Sequence, residues 1–372
     1  MILMALDHTR DFFGAAGNPT DLATASTPLF FTRWITHICA PTFFLLTGVG
    51  AFLMGQKRSA PELSRFLVVR GVWLLVLELT VLRCFGYQFN FDYRVTFLIV
   101  IWALGWAMIL LAGLVRFGPG VALAVGAAMI AGHNAFDSVT VASLGAFGPV
   151  WNVLHAPSIL FSIEGHVVFV AYPLIPWVGV TAAGHGLGQV FTWAPEERRR
   201  FLLRAGVALA VAFVALRWIN GYGDPVQWTE QQNGARTLLS FLNATKRPPS
   251  LLYLLMTLGP ALVMLSLLEF RVPRWLNPTR VFGRVPLFYF ALHFTTIHLL
   301  AVIVCYALYG QAHWMFESPT LGDYPFTRPP GWGFSLPVVY LVWVSVVAAL
   351  YPLCKWFADV KRRSNAAWVS YI

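Results

Sequence analysis

The sequence predicts an all-α fold: a polytopic membrane helix bundle of about ten transmembrane helices, with both termini in the cytoplasm. Three observations lead there. Hydrophobic residues make up 58% of the 372-residue chain and charged residues only 11%, against about a quarter charged in soluble domains. Several apolar runs approach the roughly 20 residues that a helix needs to cross a bilayer. No train of short alternating strands suggests a barrel, so helices are left to satisfy the backbone in lipid.

The segments follow in order, near residues 1–10, 38–55, 66–87, 95–115, 119–133, 166–191, 201–219, 250–269, 285–308 and 335–357. The first, within MILMALDHTRDFF, is too short to span at about 1.5 Å per residue. The natural start of that helix is expected upstream of Met1, through a misassigned start or a truncated chain. The second and third, CAPTFFLLTGVGAFL and FLVVRGVWLLVLELTVLRCF, are long apolar runs, the third interrupted by charge. The fourth holds VIWALGWAMIL, and the fifth is short and rich in Gly and Ala. The sixth ends in GHGLG, a spacing that suits close helix packing and is a weak phosphate-loop signal. The seventh follows three consecutive arginines. The eighth starts beyond Pro248 and Pro249, where proline is tolerated at a helix start. The ninth contains two histidines and the tenth closes the chain before a basic tail. One membrane-embedded domain over 1–372 is the simplest organisation.

Loop charges set the orientation. Lys57, Arg58 and Arg65, then Arg116, then Arg198, Arg199 and Arg200, then Arg271, Arg274, Arg280 and Arg284, then Lys361, Arg362 and Arg363 fall on alternate connections. The positive-inside rule places these in the cytoplasm. The loops 11–37, 132–165, 220–249 and 309–334 then face outward as folded caps rich in Trp, Pro, Gly and Asn. The net charge of +10 has the same origin. A lipid bilayer rather than nucleic acid is therefore the expected partner. Cys39, Cys84, Cys305 and Cys354 show no CxxC spacing, so neither a disulfide framework nor a metal site is expected. No cleavable signal peptide is visible.

Histidine placement is the most informative chemical feature. His8, His37, His133, His155, His166 and His313 fall at or beyond outer helix ends, while His293 and His298 lie inside the ninth segment and His185 near the cytoplasm. Ionisable groups in membrane helices are costly and face the bundle interior or a watery cavity. Histidine exchanges protons near neutral pH. An outward-opening polar cavity follows, with interfacial hydrogen bonding as the plainer alternative. Arg70, Glu78 and Arg83 add charge to the third segment. Glu78 lies eight residues after Arg70 and five before Arg83, so it cannot meet both on one face; a substrate contact and an interhelical ion pair stay open. Lys246 and Arg247, beside Ser250, suit either an anionic or polyhydroxylated substrate or lipid headgroups. Arg280 and Arg284 suit a nucleotide phosphate or plain cytoplasmic charge.

MILMALDHTRDFF and FFTRWITHICAPTFFLLTGVGAFL at 30–53 resemble the start of the heparan-α-glucosaminide N-acetyltransferase catalytic-domain family, in particular its bacterial members. VIWALGWAMIL, AYPLIPWVGVTAAGHGLG, FLNATKRPPSLLYLLMTLGPAL and GRVPLFYFALHFTTIH extend the resemblance over nearly the whole chain. It implies a transmembrane acyltransferase of a bacterial inner membrane. Such an enzyme moves an acyl group, acetyl above all, from cytoplasmic acetyl-CoA or another acyl-CoA to a sugar or other envelope acceptor. It also implies an acyl-transfer histidine near the outer end of the first helix. His8 matches that placement, either deprotonating the acceptor or accepting the acyl group transiently, with Asp7 or Asp11 to orient it and Arg10 to stabilise negative charge. In the animal enzyme the catalytic histidine lies in the first lumenal loop. Residues 11–36 here hold none, and His8 and His37 flank the gap, which makes His37 the rival. The usual Arg-Gly turn of the first helix is also missing. His166, His293 and His298 join Arg70, Glu78, Arg83, Lys246 and Arg247 as candidate substrate contacts, and Arg280 and Arg284 are candidate acyl-CoA contacts. A homodimer is compatible with this reading. Two other functions remain open. One is a small-molecule or proton-coupled transporter using the buried charges. The other is a b-type haem protein with bis-histidine ligation, for which His293 with His166 is a conceivable pair.

Overall fold

A computed structural model describes residues 1–270, 272–322 and 324–364. Arg271, one of the arginines used to set the orientation, lies outside them. The helices run α1 (Ile2–Phe13), α2 (Thr27–Thr36), α3 (Cys39–Gly55), α4 (Ala60–Leu77), α5 (Val100–Leu114), α6 (Pro119–Gly132) and α7 (Gly148–Leu154). They continue as α8 (Leu174–Leu187), α9 (Pro195–Ile219), α10 (Gly234–Leu242), α11 (Leu251–Phe270), α12 (Arg280–Arg284), α13 (Pro286–Tyr309) and α14 (Leu336–Arg363). Local sequence sets many of these ends. Ser26 caps α2, accepting a hydrogen bond from the Leu29 amide at 3.4 Å. α9 opens on Pro195 with Glu196 and Glu197 in its first turn, and stops where Asn220 turns left-handed at φ 58°.

Seven helical stretches are long and apolar enough to cross a membrane: Thr27–Gly55, Val100–Phe117, Pro119–Phe136, Pro195–Ile219, Leu251–Glu269, Pro286–Tyr309 and Leu336–Arg363. The protein is a multi-pass, mostly helical membrane protein. Three of the ten expected segments fall short of that standard. α1 is only 12 residues long. α4 carries Glu62, Arg65 and Arg70 within 18 residues and continues from Glu78 to Tyr87 as a wider π-type coil. The expected 166–191 segment starts as a β-strand, and its helix α8 has 14 residues.

A small sheet accompanies the helices. β1 (Val95–Leu98), β2 (Ile159–Ile163) and β3 (His166–Val170) associate in the order β1-β3-β2, with β2 and β3 antiparallel. Val, Ile and Phe dominate these stretches, and Gly165 at φ 81° makes the hairpin turn between β2 and β3. Apolar β-branched runs of this length read equally well as helix in a membrane sequence.

The described chain forms two compact units. The first comprises Met1–Cys39, Val76–Thr96 and the described residues from Val272 onward. In it α1 packs against α2, α13 and α14, and α13 packs on the Glu78–Tyr87 coil. The last carbonyls of α1 are served by distant residues. The Trp332 indole donates to Phe12 O at 2.8 Å, the Phe334 amide to Phe13 O at 2.8 Å, and Arg328 to Gly14 O at 2.9 Å. At its other end the Trp343 indole donates to Ile2 O at 2.9 Å.

The second unit comprises Ala40–Leu75 and the described part of Phe97–Arg271. Small residues bring its helices into backbone contact, as expected where lipid removes the hydrophobic drive for association. A Cβ on Gly48 of α3 would lie 2.0 Å from the Thr181 carbonyl of α8, and one on Gly184 would lie 2.2 Å from the Leu45 carbonyl. At the end of α9 the buried Arg217 donates to the carbonyls of Val226, Ser240, Phe241 and Asn243 at 2.9–3.2 Å. It also faces Asp224 at 4.0 Å.

Candidate functional site

The sequence places Asp7, His8, Arg10 and Asp11 on consecutive turns of α1, and the first unit brings α2 and α13 against them. Asp7 is buried and faces α2. It accepts hydrogen bonds from Arg33, from Thr36 Oγ1 at 3.0 Å and from Arg10 at 3.0 Å. Arg10 also reaches Asp11 at 2.6 Å. Asp7 thus holds two arginines, and Asp11 is the carboxylate facing the imidazole: its Oδ2 lies 3.8 Å from His8 Nδ1. That is ion-pair range but longer than a hydrogen bond.

His8 points toward α13. Its ring centroid is 5.2 Å from that of His293 and 3.9 Å from that of Phe294, with Phe290 edge-on at 6.3 Å. His293 is fully buried. Its Nδ1 lies 2.8 Å from the Tyr289 carbonyl, a contact that requires a proton on Nδ1. In the neutral ring the lone pair is then on Nε2. The Tyr289 ring stacks on His293 at 5.1 Å. Three buried polar atoms at this junction, His8 Nδ1, His293 Nε2 and Tyr289 Oη, make no hydrogen bond. Buried polar atoms are nearly always satisfied, so three such atoms at one place make this junction the candidate site. Aromatic walls and two basic nitrogens can hold an acceptor hydroxyl or amine and take its proton.

Other predicted residues have different surroundings. His298 lies 3.2 Å from Gly86 O through Nδ1 and 2.8 Å from Met315 O through Nε2, and stacks on Phe89 at 3.8 Å. These contacts tie the Glu78–Tyr87 coil, Phe89 and the 313–316 turn to α13. Arg83 is buried and donates to Asn90 O at 2.5 Å and Asn90 Oδ1 at 2.7 Å, beneath the Tyr93 ring. It clasps the 88–93 loop. Glu78 is buried and accepts from the Tyr87 hydroxyl at 3.2 Å. His37 is buried and closes α2. Arg280 and Arg284 are exposed, one turn apart on α12.

Arg70, His166, Lys246 and Arg247 belong to the second unit. Arg70 is half-buried on α4. His166 is exposed on β3, so it does not occupy the membrane-helix position that haem ligation was expected to use. Arg247 is exposed, its guanidinium 5.7 Å from the Tyr172 ring, and Lys246 bridges to Pro249. The sequence reading missed Tyr289, Arg33 and Thr36. Tyr289 had a signal, since it sits four residues before His293 on one helix face. Arg33 and Thr36 had none, because their link to Asp7 depends on how α2 folds back.

Comparison with known proteins adds one finding. No curated protein and no solved structure matches the chain. The family model described as heparan-alpha-glucosaminide N-acetyltransferase, catalytic, matches residues 1–218. The match includes α1 with His8 and ends before α13. It covers more than half of the 372-residue chain, and the chain belongs to the heparan-alpha-glucosaminide N-acetyltransferase catalytic family.

Proposed function

We propose that this protein is a membrane acyltransferase of a bacterial cytoplasmic membrane. It would pass an acyl group, acetyl above all, from cytoplasmic acyl-CoA to a hydroxyl or amine of a glycan or other envelope acceptor. The observation that carries the reading is the facing pair His8–His293, with Asp11 beside His8 Nδ1 and His293 Nε2 making no hydrogen bond, in a member of an acetyltransferase family.

His8 is the general base. Its second nitrogen takes the acceptor's proton as the acceptor oxygen or nitrogen bonds the acyl carbon. The thioester C–S bond breaks, and the proton returns to the leaving thiolate. Asp11 stabilises the imidazolium from its place 3.8 Å away, a separation that can tighten once the ring is charged. Arg10 fixes the Asp11 carboxylate. His293 Nε2 and the Tyr289 hydroxyl position the acceptor by hydrogen bonding. Arg280 and Arg284, one turn apart and exposed, suit the phosphates of the donor.

The test is turnover of acetyl-CoA per folded molecule in purified His8→Ala, His293→Gln and His37→Ala. His8→Ala is expected to lose roughly 100- to 10,000-fold, the usual contribution of a general acid–base group. His293→Gln is expected to weaken acceptor KM and turnover together. Melting temperatures should stay near that of the parent. A large loss in His37→Ala with normal His8→Ala would move the base to His37. Normal turnover in all three would remove histidine catalysis.

A further inference from the structure

The second unit holds a separate cluster at the end of α6. His133 follows the last turn of α6, and His155 caps α7 from 22 residues further on. Asp137 lies between them in sequence. His133 Nδ1 is 3.3 Å from His155 Nε2, and Asp137 Oδ1 is 3.6 Å from that same nitrogen. One ligand-type atom from each residue falls within a common 4.8 Å. Both histidines are buried.

The geometry points to a binding site for a divalent cation of the zinc class, with His133, Asp137 and His155 as its three protein ligands. Zinc holds nitrogen at about 2.0–2.1 Å in tetrahedral geometry, which separates two ligand nitrogens by roughly 3.3–3.4 Å. The observed nitrogen pair matches that spacing. Two neutral imidazoles and one carboxylate form a donor set of the kind zinc selects. Three protein ligands leave the fourth tetrahedral direction to water or another small ligand.

The surroundings orient each ligand, as the outer shell of a metal site does. The Asn134 amide donates to Asp137 Oδ2 at 2.8 Å, which directs Oδ1 toward His155. Asn134 Oδ1 is in turn fixed by the Leu251 amide at 2.8 Å. The Trp151 indole stacks on His155 at 4.8 Å and donates to Val139 O, locking that ring from outside. The Pro249 carbonyl lies beside the His133 ring, whose buried Nε2 makes no hydrogen bond of good geometry. Asp224 is close enough to repel Asp137. A dication would relieve that repulsion.

One competing arrangement uses the same atoms. His155 Nε2 lies 2.9 Å from the His133 carbonyl, and with a proton there the pair is an ordinary hydrogen bond. Ligation instead needs the proton on Nδ1. A bound ion would staple the 133–155 excursion to the end of α6. The sequence does not announce the site, since no familiar ligand spacing joins these three residues, and it departs from the expectation that the protein takes no metal.

The experiment uses the full chain in detergent, stripped with a chelator, reloaded with zinc and desalted. We expect one zinc per chain by elemental analysis, and a melting temperature that rises on reloading. Cobalt(II) in its place should give the visible absorption of a low-coordinate nitrogen–oxygen site. His155→Gln and Asp137→Asn should each lose the metal and the thermal shift, while His313→Gln should keep both. Absence of bound zinc in the parent, or zinc retained by the Asp137→Asn, His155→Gln double variant, overturns the site. If that variant fails to fold, the parent's cobalt spectrum decides. Bands matching aqueous cobalt exclude the site, and low-coordinate bands support it.

Discussion

Of the ionisable groups on α1, Asp7 is tied to its neighbours most tightly. It lies buried between Arg10, Arg33 and Thr36, so its carboxylate balances two largely buried cations. Removing one partner of a buried ion pair costs about 3–5 kcal/mol, because the remaining charge is stranded. Asp7→Ala should therefore lower the melting temperature in detergent sharply and reduce the folded yield. An unchanged melting temperature would show that the network adds nothing to stability. The sequence made the cluster DHTRD conspicuous but did not divide its labour. His8 turns to α13 and Asp11 to His8 and Arg10, while Asp7 turns to residues 26 and 29 positions away. That division follows from the approach of α2, which no local pattern encodes. Arg217 shows the same limit. It sits in the apolar run of α9, yet it donates to four carbonyls, two in α10 and two in the segments that flank it.

Among the elements, the long apolar helices were readable from hydrophobic length alone, and the places where reading failed share one cause. Val, Ile and Phe serve a short strand and a membrane helix equally well, so β1 and β3 were absorbed into neighbouring helices. The Glu78–Tyr87 coil was likewise hidden, because a widened turn leaves the apolar pattern nearly intact. Glycines do carry readable information about packing. The α3–α8 contact has no room for a side chain at Gly48, where a Cβ would sit 2.0 Å from a backbone oxygen. Gly48→Val should separate the two helices and destabilise the fold by at least the roughly 1–3 kcal/mol typical of overpacking. Gly50→Val on the same helix has open space and serves as the control. Equal melting temperatures for the two variants would show that the close approach is not needed.

For the whole molecule, orientation in the membrane rests on loop charge. Single cysteines introduced in the 57–65 and 198–200 loops should be shielded from an impermeant thiol reagent in intact cells, and one in the 220–249 loop should react. Three of the four native cysteines are buried, which keeps the background low. Labelling of the 198–200 loop from outside would invert the topology.

The pairing of the α1 carbonyls with Arg328, Trp332 and Phe334 has a consequence in time. α1 is synthesised long before the groups that close its C-terminal end, which follow more than 300 residues later. His8 meets His293 only after α13 has been made. The junction proposed for catalysis is thus among the last contacts to be completed during biosynthesis. A nascent or prematurely terminated chain can carry most of the membrane helices and the whole matched family segment, and still lack the proposed His8–His293 junction.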